Sequence, residues 1–194
     1  MNKKILLLIL IVALVLLIGG ASVLYSQLGQ DLAPDQLATQ PPQTTNAAEE
    51  TTPQPQQVPD FTVYDQDDNA VKLSDYFGKP IVLNFWASWC GPCRSEMPHF
   101  EEKYLALKDD VTFLMVNMTD NSRETVEVAS KFIADAGYTF PVLYDTQSQA
   151  AITYGVTSLP TTYFIDADGN AIAQATGAIS AATLQRGIDM IYTP

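Results

Sequence analysis

Eighteen residues, Ile81 to Pro98, constrain this chain more than any other stretch; they read I-V-L-N-F-W-A-S-W-C-G-P-C-R-S-E-M-P. The first seven are apolar except for Asn84, the pattern of a buried strand. Cys90-Gly91-Pro92-Cys93 then opens a segment of helical character, with Pro92 where a first helical turn needs no N–H. The spacing therefore predicts a strand feeding a helix through a dithiol turn. Free N–H groups and the positive end of the dipole at a helix N-terminus stabilise a thiolate, the reactive form of cysteine. Cys90 is expected to be the exposed attacker, and Cys93, one turn into the helix, the more buried resolving thiol.

Two other uses of a C-x-x-C pair compete. A structural zinc takes about four ligands, whereas these are the only two cysteines and His99, read as an ordinary helix residue, is the only histidine. A structural disulfide closing so short a loop would constrain the unfolded chain little. Redox chemistry is the stronger reading; its only cofactor would be the Cys90–Cys93 couple itself, and no metal is expected.

At the start of the chain, Lys3 and Lys4 precede an uncharged, mostly apolar stretch from Ile5 to Leu24. At about 1.5 Å per helical residue it can cross a hydrocarbon core of roughly 30 Å. The basic pair puts the N-terminus in the cytoplasm and everything after Leu24 outside. A single-pass anchor over residues 1–24 is the preferred reading, because the run from Ile5 to Ile18 is long; Gly19-Gly20-Ala21 keeps a cleaved signal peptide open. Residues 25–57, rich in Gln, Thr and Pro, offer too few apolar side chains for a core and read as a disordered linker. Such a tether spans roughly 30 Å on average, more where proline extends it. Residues 58–194 suit one globular domain. A formal net charge of -12 argues against nucleic acid and against an electrostatic hold on anionic lipid.

Within the domain, Phe61–Val63 and Ala70–Leu73 flank the polar turn Asp65–Asn69 and predict an N-terminal hairpin. The helix opened near Pro92 should run to about Leu107 and kink at Pro98. A strand is expected over Val111–Asn117. A helix over Glu124–Ala136 should follow, capped by Asn121 or Ser122, with Val128, Phe132 and Ile133 on its apolar face and Gly137 as its stop. Phe140–Tyr144 reads as a short strand. Thr161–Ile165 and Ala171–Ala175 form a second hairpin, with Asp168-Gly169 supplying positive backbone angles. A last helix, Ser180–Ile191, carries Leu184, Ile188 and Ile191 on one stripe. The fold class is α/β, a mixed central sheet flanked by helices.

The run W-A-S-W-C-G-P-C resembles the active-site signature of thioredoxins. From Val58 to Tyr192 the chain is similar to the membrane-anchored TlpA/ResA-like branch of that superfamily, which is related to the AhpC/TSA proteins. The resemblance also rests on Pro59-Asp60-Phe61, on Glu96-Met97-Pro98 and on Y-G-V-T-S-L-P-T-T-Y-F-I-D from Tyr154 to Asp166. It implies a thioredoxin-like fold with a strand–helix unit inserted within Asn117–Thr153. It also implies a thiol–disulfide oxidoreductase that reduces protein disulfides outside the cytoplasm, including those of apocytochromes before haem attachment. Leu159 and Pro160 match the loop that holds a cis-proline against the dithiol, where Leu159 would offer its backbone to an extended substrate. Trp89, Gly91 and Pro92 would line the same rim, whereas Trp86 and Phe85 read as packing. Thioredoxins carry a buried Asp where this chain has Asn84, which cannot take a proton. Glu96 matches the branch's acid–base glutamate; burial would raise its pKa and suit it to proton exchange with Cys93, and the other reading is an exposed first-turn glutamate complementing the dipole.

Neighbouring families fit less well. A peroxiredoxin-type peroxidase has a Thr three residues before its reactive Cys, where this chain has Ala87, and a Sco-type copper chaperone spaces its cysteines by three residues and adds a distant His. A disulfide-forming oxidant remains open, because the direction of electron flow is not written in the residues. A reductant working outside the cytoplasm would need re-reduction by a separate membrane donor, since the chain holds no second dithiol, and the resemblance implies one of the CcdA/DsbD kind.

Overall fold

The structure, a computed structural model, describes Leu37 and residues 57–193. The Ile5–Leu24 stretch and nearly all of the 25–57 linker lie outside the described residues; among those described, no helix is long and apolar enough to cross a membrane. Leu37 packs against one of two core clusters.

The chain runs through β1 (Thr62–Tyr64), β2 (Ala70–Lys72) and a 3-10 turn at Leu73–Tyr76 to β3 (Ile81–Trp86), α1 (Gly91–Leu107) and β4 (Thr112–Asn117). It continues through α2 (Val126–Ala136), β5 (Val142–Tyr144), α3 (Gln149–Thr153), the hairpin β6 (Thr161–Ile165) and β7 (Ala171–Thr176), and α4 (Ala181–Ile191). The sheet order is β2-β1-β5-β4-β3-β6-β7. β3 is parallel to β4, and β4 to β5; the two hairpins pair antiparallel and flank this parallel centre. Within Asn117–Thr153 there is a strand followed by a helix: β5 joins β4 to the N-terminal hairpin, and α3 comes after it.

Both faces of the sheet are covered, which is why all six residues of β3 are buried. Its side chains alternate between two cores. Val82 and Trp86 face the cluster built with Met97 and Phe100 of α1, Ala129 of α2 and Leu184 and Ile188 of α4. Ile81, Leu83 and Phe85 face the cluster built with Phe61, Leu73, Ala150 and Tyr154. α4 approaches β6 closely: a Cβ on Gly187 would lie 2.2 Å from the Phe164 ring, so only glycine fits there. Tyr154 and Tyr163 meet edge to face at 5.0 Å; Tyr163 Oη donates to the Tyr154 carbonyl and Tyr154 Oη to that of Pro59, tying down the start of the loop that enters β6.

Several local expectations need correction. α2 begins at Val126 with Thr125 as its cap, because the Thr125 hydroxyl accepts from Val128 N–H, whereas Asn121 lies in a loop at φ 57°. Val128 is exposed: α2 turns Val126, Ala129, Phe132 and Ile133 to the core, with Ala129 alone fully buried, and Val128 falls outside that arc. In the β6–β7 turn only Gly169 has a positive φ, 85°. β5 is shorter than expected, starting at Val142. α1 spans Gly91–Leu107 as expected, with Pro98 inside it on the solvent side.

Candidate active site

β3 ends at Trp86, and a tight turn, closed by Cys90 N–H donating to the Ala87 carbonyl at 3.1 Å, delivers Cys90 to the N-cap of α1. Cys90 has extended backbone angles, and its Sγ accepts from Cys93 N–H at 3.2 Å, so the sulfur occupies the place of a capping oxygen. Cys90 and Cys93 are joined as a disulfide, with Cα atoms 5.3 Å apart. Cys93 is fully buried as expected, but Cys90 is only 4% exposed. The expectation of an exposed Cys90 is therefore corrected: in the disulfide it keeps only a small surface, on the cleft it shares with Trp89 and Leu159.

That cleft has a volume of about 480 Å³. One wall is Trp89, Cys90, Gly91 and Pro92, the other is the loop Val156–Leu159, and Met118 and Asp120 complete it. The Leu159–Pro160 peptide bond is cis. Leu159 lines the cleft, whereas Pro160 is buried behind it with its carbonyl accepting from Gly177 N–H at 2.8 Å. Among the described residues the Leu159 backbone N–H and C=O have no partner. Trp89, 44% exposed, carries the Arg123 guanidinium 4.5 Å above its ring.

Behind the disulfide lies Glu96, 1% exposed, which excludes the exposed first-turn reading. Its Oε1 accepts from Asn84 Nδ2 and its Oε2 from Ile179 N–H, each at 2.9 Å. Burial pushes its pKa up to about 7, partly offset by those two donors. Asn84 and Glu96 thus meet beneath the dithiol, although His99, on the same helix, takes no part in this network.

A second buried carboxylate was not legible in the sequence. Glu124 Oε1 accepts from Ser88 N–H and Asn117 Nδ2, both at 2.7 Å, and its Oε2 from Ser88 Oγ at 2.6 Å. It therefore anchors the dithiol turn two residues before Cys90. Asp120 organises the loop that carries it: its Oδ1 accepts three N–H groups, from Ser122, Arg123 and Glu124, each at 2.8 Å, and these hold its carboxyl below the usual range. Only that local Asp turn had a sequence signal. Among the described residues no three His, Cys, Asp or Glu side chains gather as a metal site.

A cysteine pair capping a helix at the end of a central strand, in a mixed sheet with a cis-proline loop opposite, defines a thiol–disulfide oxidoreductase of thioredoxin-like fold. Residues 55–174 match the AhpC/TSA family, and the chain belongs to it. It is similar to the thiol-disulfide oxidoreductase ResA of Geobacillus thermodenitrificans, 37% identical over 69% of this chain and 75% of that one. To ResA of Bacillus subtilis it is 32% identical over 69% and 73%. Among solved structures it resembles StoA from Bacillus subtilis (TM-score 0.58, 27% identity, 66% of this chain and 96% of that one). A DsbF homologue from Corynebacterium diphtheriae gives a TM-score of 0.61 at 32% identity, covering 69% and 85%. The chain thus carries out thiol–disulfide exchange.

Proposed function

We infer that this chain is a protein-disulfide reductase, anchored by residues 5–24 with its thioredoxin-like domain on the extracytoplasmic side. The observation that carries the reading is the cleft itself, where Cys90 lies beside the unpartnered backbone of Leu159. An extended substrate segment would pair with Leu159 N–H and C=O in the manner of an added strand, bringing its disulfide to Cys90.

In the reducing direction the Cys90 thiolate attacks one sulfur of the substrate disulfide and expels the other as a thiolate. The Cys93 thiolate then attacks Cys90 Sγ, freeing the second substrate thiol and leaving the Cys90–Cys93 disulfide. Two electrons pass from the dithiol to the substrate. The Cys93 proton goes to Glu96, whose carboxyl titrates at about 7 and is poised to take it near neutral pH. A membrane donor of the CcdA/DsbD kind returns two electrons to the couple. Disulfide-containing proteins outside the cytoplasm, apocytochrome c before haem attachment among them, are the substrates.

The test is the reduction potential of the Cys90/Cys93 couple in the full-length protein. A value near that of thioredoxin, about -270 mV, is expected. A value near -120 mV would reverse the direction and make the chain a disulfide-forming oxidant.

A further inference from the structure

The replacement of an acid by Asn84 on β3 leaves an unusual polar centre. Asn84 is 1% exposed and lies opposite Thr162 of β6 in antiparallel register. Its Nδ2 donates twice, to Glu96 Oε1 at 2.9 Å and to Thr162 Oγ1 at 3.0 Å. Its Oδ1 is buried and has no hydrogen-bond partner among the described residues. Buried amide oxygens in folded proteins nearly always have a donor, so an orphan of this kind calls for an explanation.

A half-turn of the amide would put its NH2 where Oδ1 now lies, also without a partner, so what the turn changes is the group offered to Glu96. An ionised carboxylate only accepts, and Glu96 in that state is served by Asn84 Nδ2 and by Ile179 N–H. A protonated Glu96 carries one O–H that needs an acceptor. The Ile179 N–H occupies Oε2, which leaves the proton on Oε1, facing a donor. Rotating the Asn84 amide by half a turn exchanges that donor for Oδ1. Thr162 accommodates either arrangement, because a hydroxyl both donates and accepts. An aspartate at position 84 could not serve the ionised carboxylate in this way, and an apolar residue could serve neither state. The elements packed around Glu96 present no charge to it: β3 offers Asn84, the segment before α4 offers the Ile179 N–H, and Cys93 on its own helix is held in the disulfide.

We propose that Asn84 is a positioning residue for the Glu96 proton: its amide gives N–H to the carboxylate and, after a half-turn, C=O to the carboxylic acid, with the Thr162 hydroxyl reversing its role in step. This rests on the acid–base reading of Glu96 and deepens it. Glu96 can gain and lose a proton in a closed site because its partner changes character with it, without water entering.

The experiment is NMR of the full-length oxidised protein in detergent micelles, with 15N in the asparagine side chains and 13C in the glutamate carboxyls, from pH 5 to pH 9. The Glu96 carboxyl and the Asn84 side-chain amide should titrate together with one midpoint, and the amide should lose its hydrogen-bonded downfield proton on the acid side. Glu96→Gln mimics the protonated acid, since its Nε2 needs the Asn84 carbonyl; in that variant the Asn84 signals should stay at their acid-side positions at every pH. Thr162→Val should shift the Glu96 midpoint, whereas Thr162→Ser, which keeps the hydroxyl, should restore it. If Glu96 titrates while the Asn84 amide stays unchanged and hydrogen-bonded throughout, the amide does not turn and the proposal fails with the Glu96 role intact. If the Glu96 carboxyl does not titrate in this range, the acid–base reading and the proposal fail together.

Discussion

Two buried glutamates belong to the surroundings of the dithiol, Glu124 bonded to the turn before Cys90 and Glu96 on the helix after Cys93, and their partners differ. Glu124 is fully buried, and three donors at 2.6–2.7 Å, from Ser88 and Asn117, close on its carboxylate. Glu96 is as buried but receives only two, both at 2.9 Å, one of them from an amide able to turn over. The first arrangement holds a piece of backbone in place, that of Ser88 before Cys90. The second leaves a proton negotiable, with a titration point of about 7. The same side chain therefore serves as a brace or as a relay according to how completely its lone pairs are taken.

Removing the dithiol should give the largest effect and place both glutamates in context. Cys90→Ser should abolish disulfide exchange, and Cys93→Ser should accumulate a mixed disulfide with substrate, detectable by mass spectrometry under non-reducing conditions. A Cys93→Ser protein that still turns over would remove the need for any relay. Next in size is Glu124→Ala, which strands the Ser88 N–H and hydroxyl and the Asn117 amide. It should lower unfolding free energy by about 4 kcal/mol in urea titrations at neutral pH. A loss of about 1 kcal/mol or less, that of a single ordinary hydrogen bond, would mean that Glu124 does not brace the turn.

Glu96→Gln should act in the opposite sense and only at higher pH. The folded protein keeps a proton on Glu96 between about 4.5 and about 7, where the unfolded chain has lost it, so wild-type stability falls as pH rises through that window and levels off above it. Glutamine removes that slope. The variant should therefore gain on wild type by roughly 3 kcal/mol at most at pH 8, with no such gain near pH 4. An equal difference at both pH values would show that the carboxyl is not perturbed in the fold. The smallest effect is expected from Arg123→Ala, which removes the cation from the exposed Trp89 ring: below about 1 kcal/mol in stability, with its consequence read in the KM for a disulfide peptide.

Much of the fold was legible because it depends on neighbours in the chain. The apolar run Ile81–Trp86, the hairpin signals at Asp65–Asn69 and Asp166–Asn170, the stop at Gly137 and the last helix up to Ile191 are all local, and the structure shows each. The dithiol at the start of α1 and the cis bond before Pro160 followed from the family resemblance and the motif. Phe132 and Ile133 lie on the expected face of α2, but Ala129 takes the place beside them that the apolar pattern assigns to Val128, a choice made by packing. The near-complete burial of Cys90 has a similar reason: it belongs to a core cluster whose other members, such as Phe164 and Ile179, lie far from residue 90 in the chain.

By itself the sequence determined which atoms can react and where the chain could bend, because a dithiol spacing, a proline and a cap act over a few residues. Tertiary structure decided the state of the carboxyls. Asn84 and Glu96 are 12 residues apart, Ile179 is 83 from Glu96, Thr162 is 78 from Asn84, and Glu124 is 36 from Ser88. A carboxyl's pKa is set by the solvent it loses and the donors it gains, and both are fixed only when distant strands close over it.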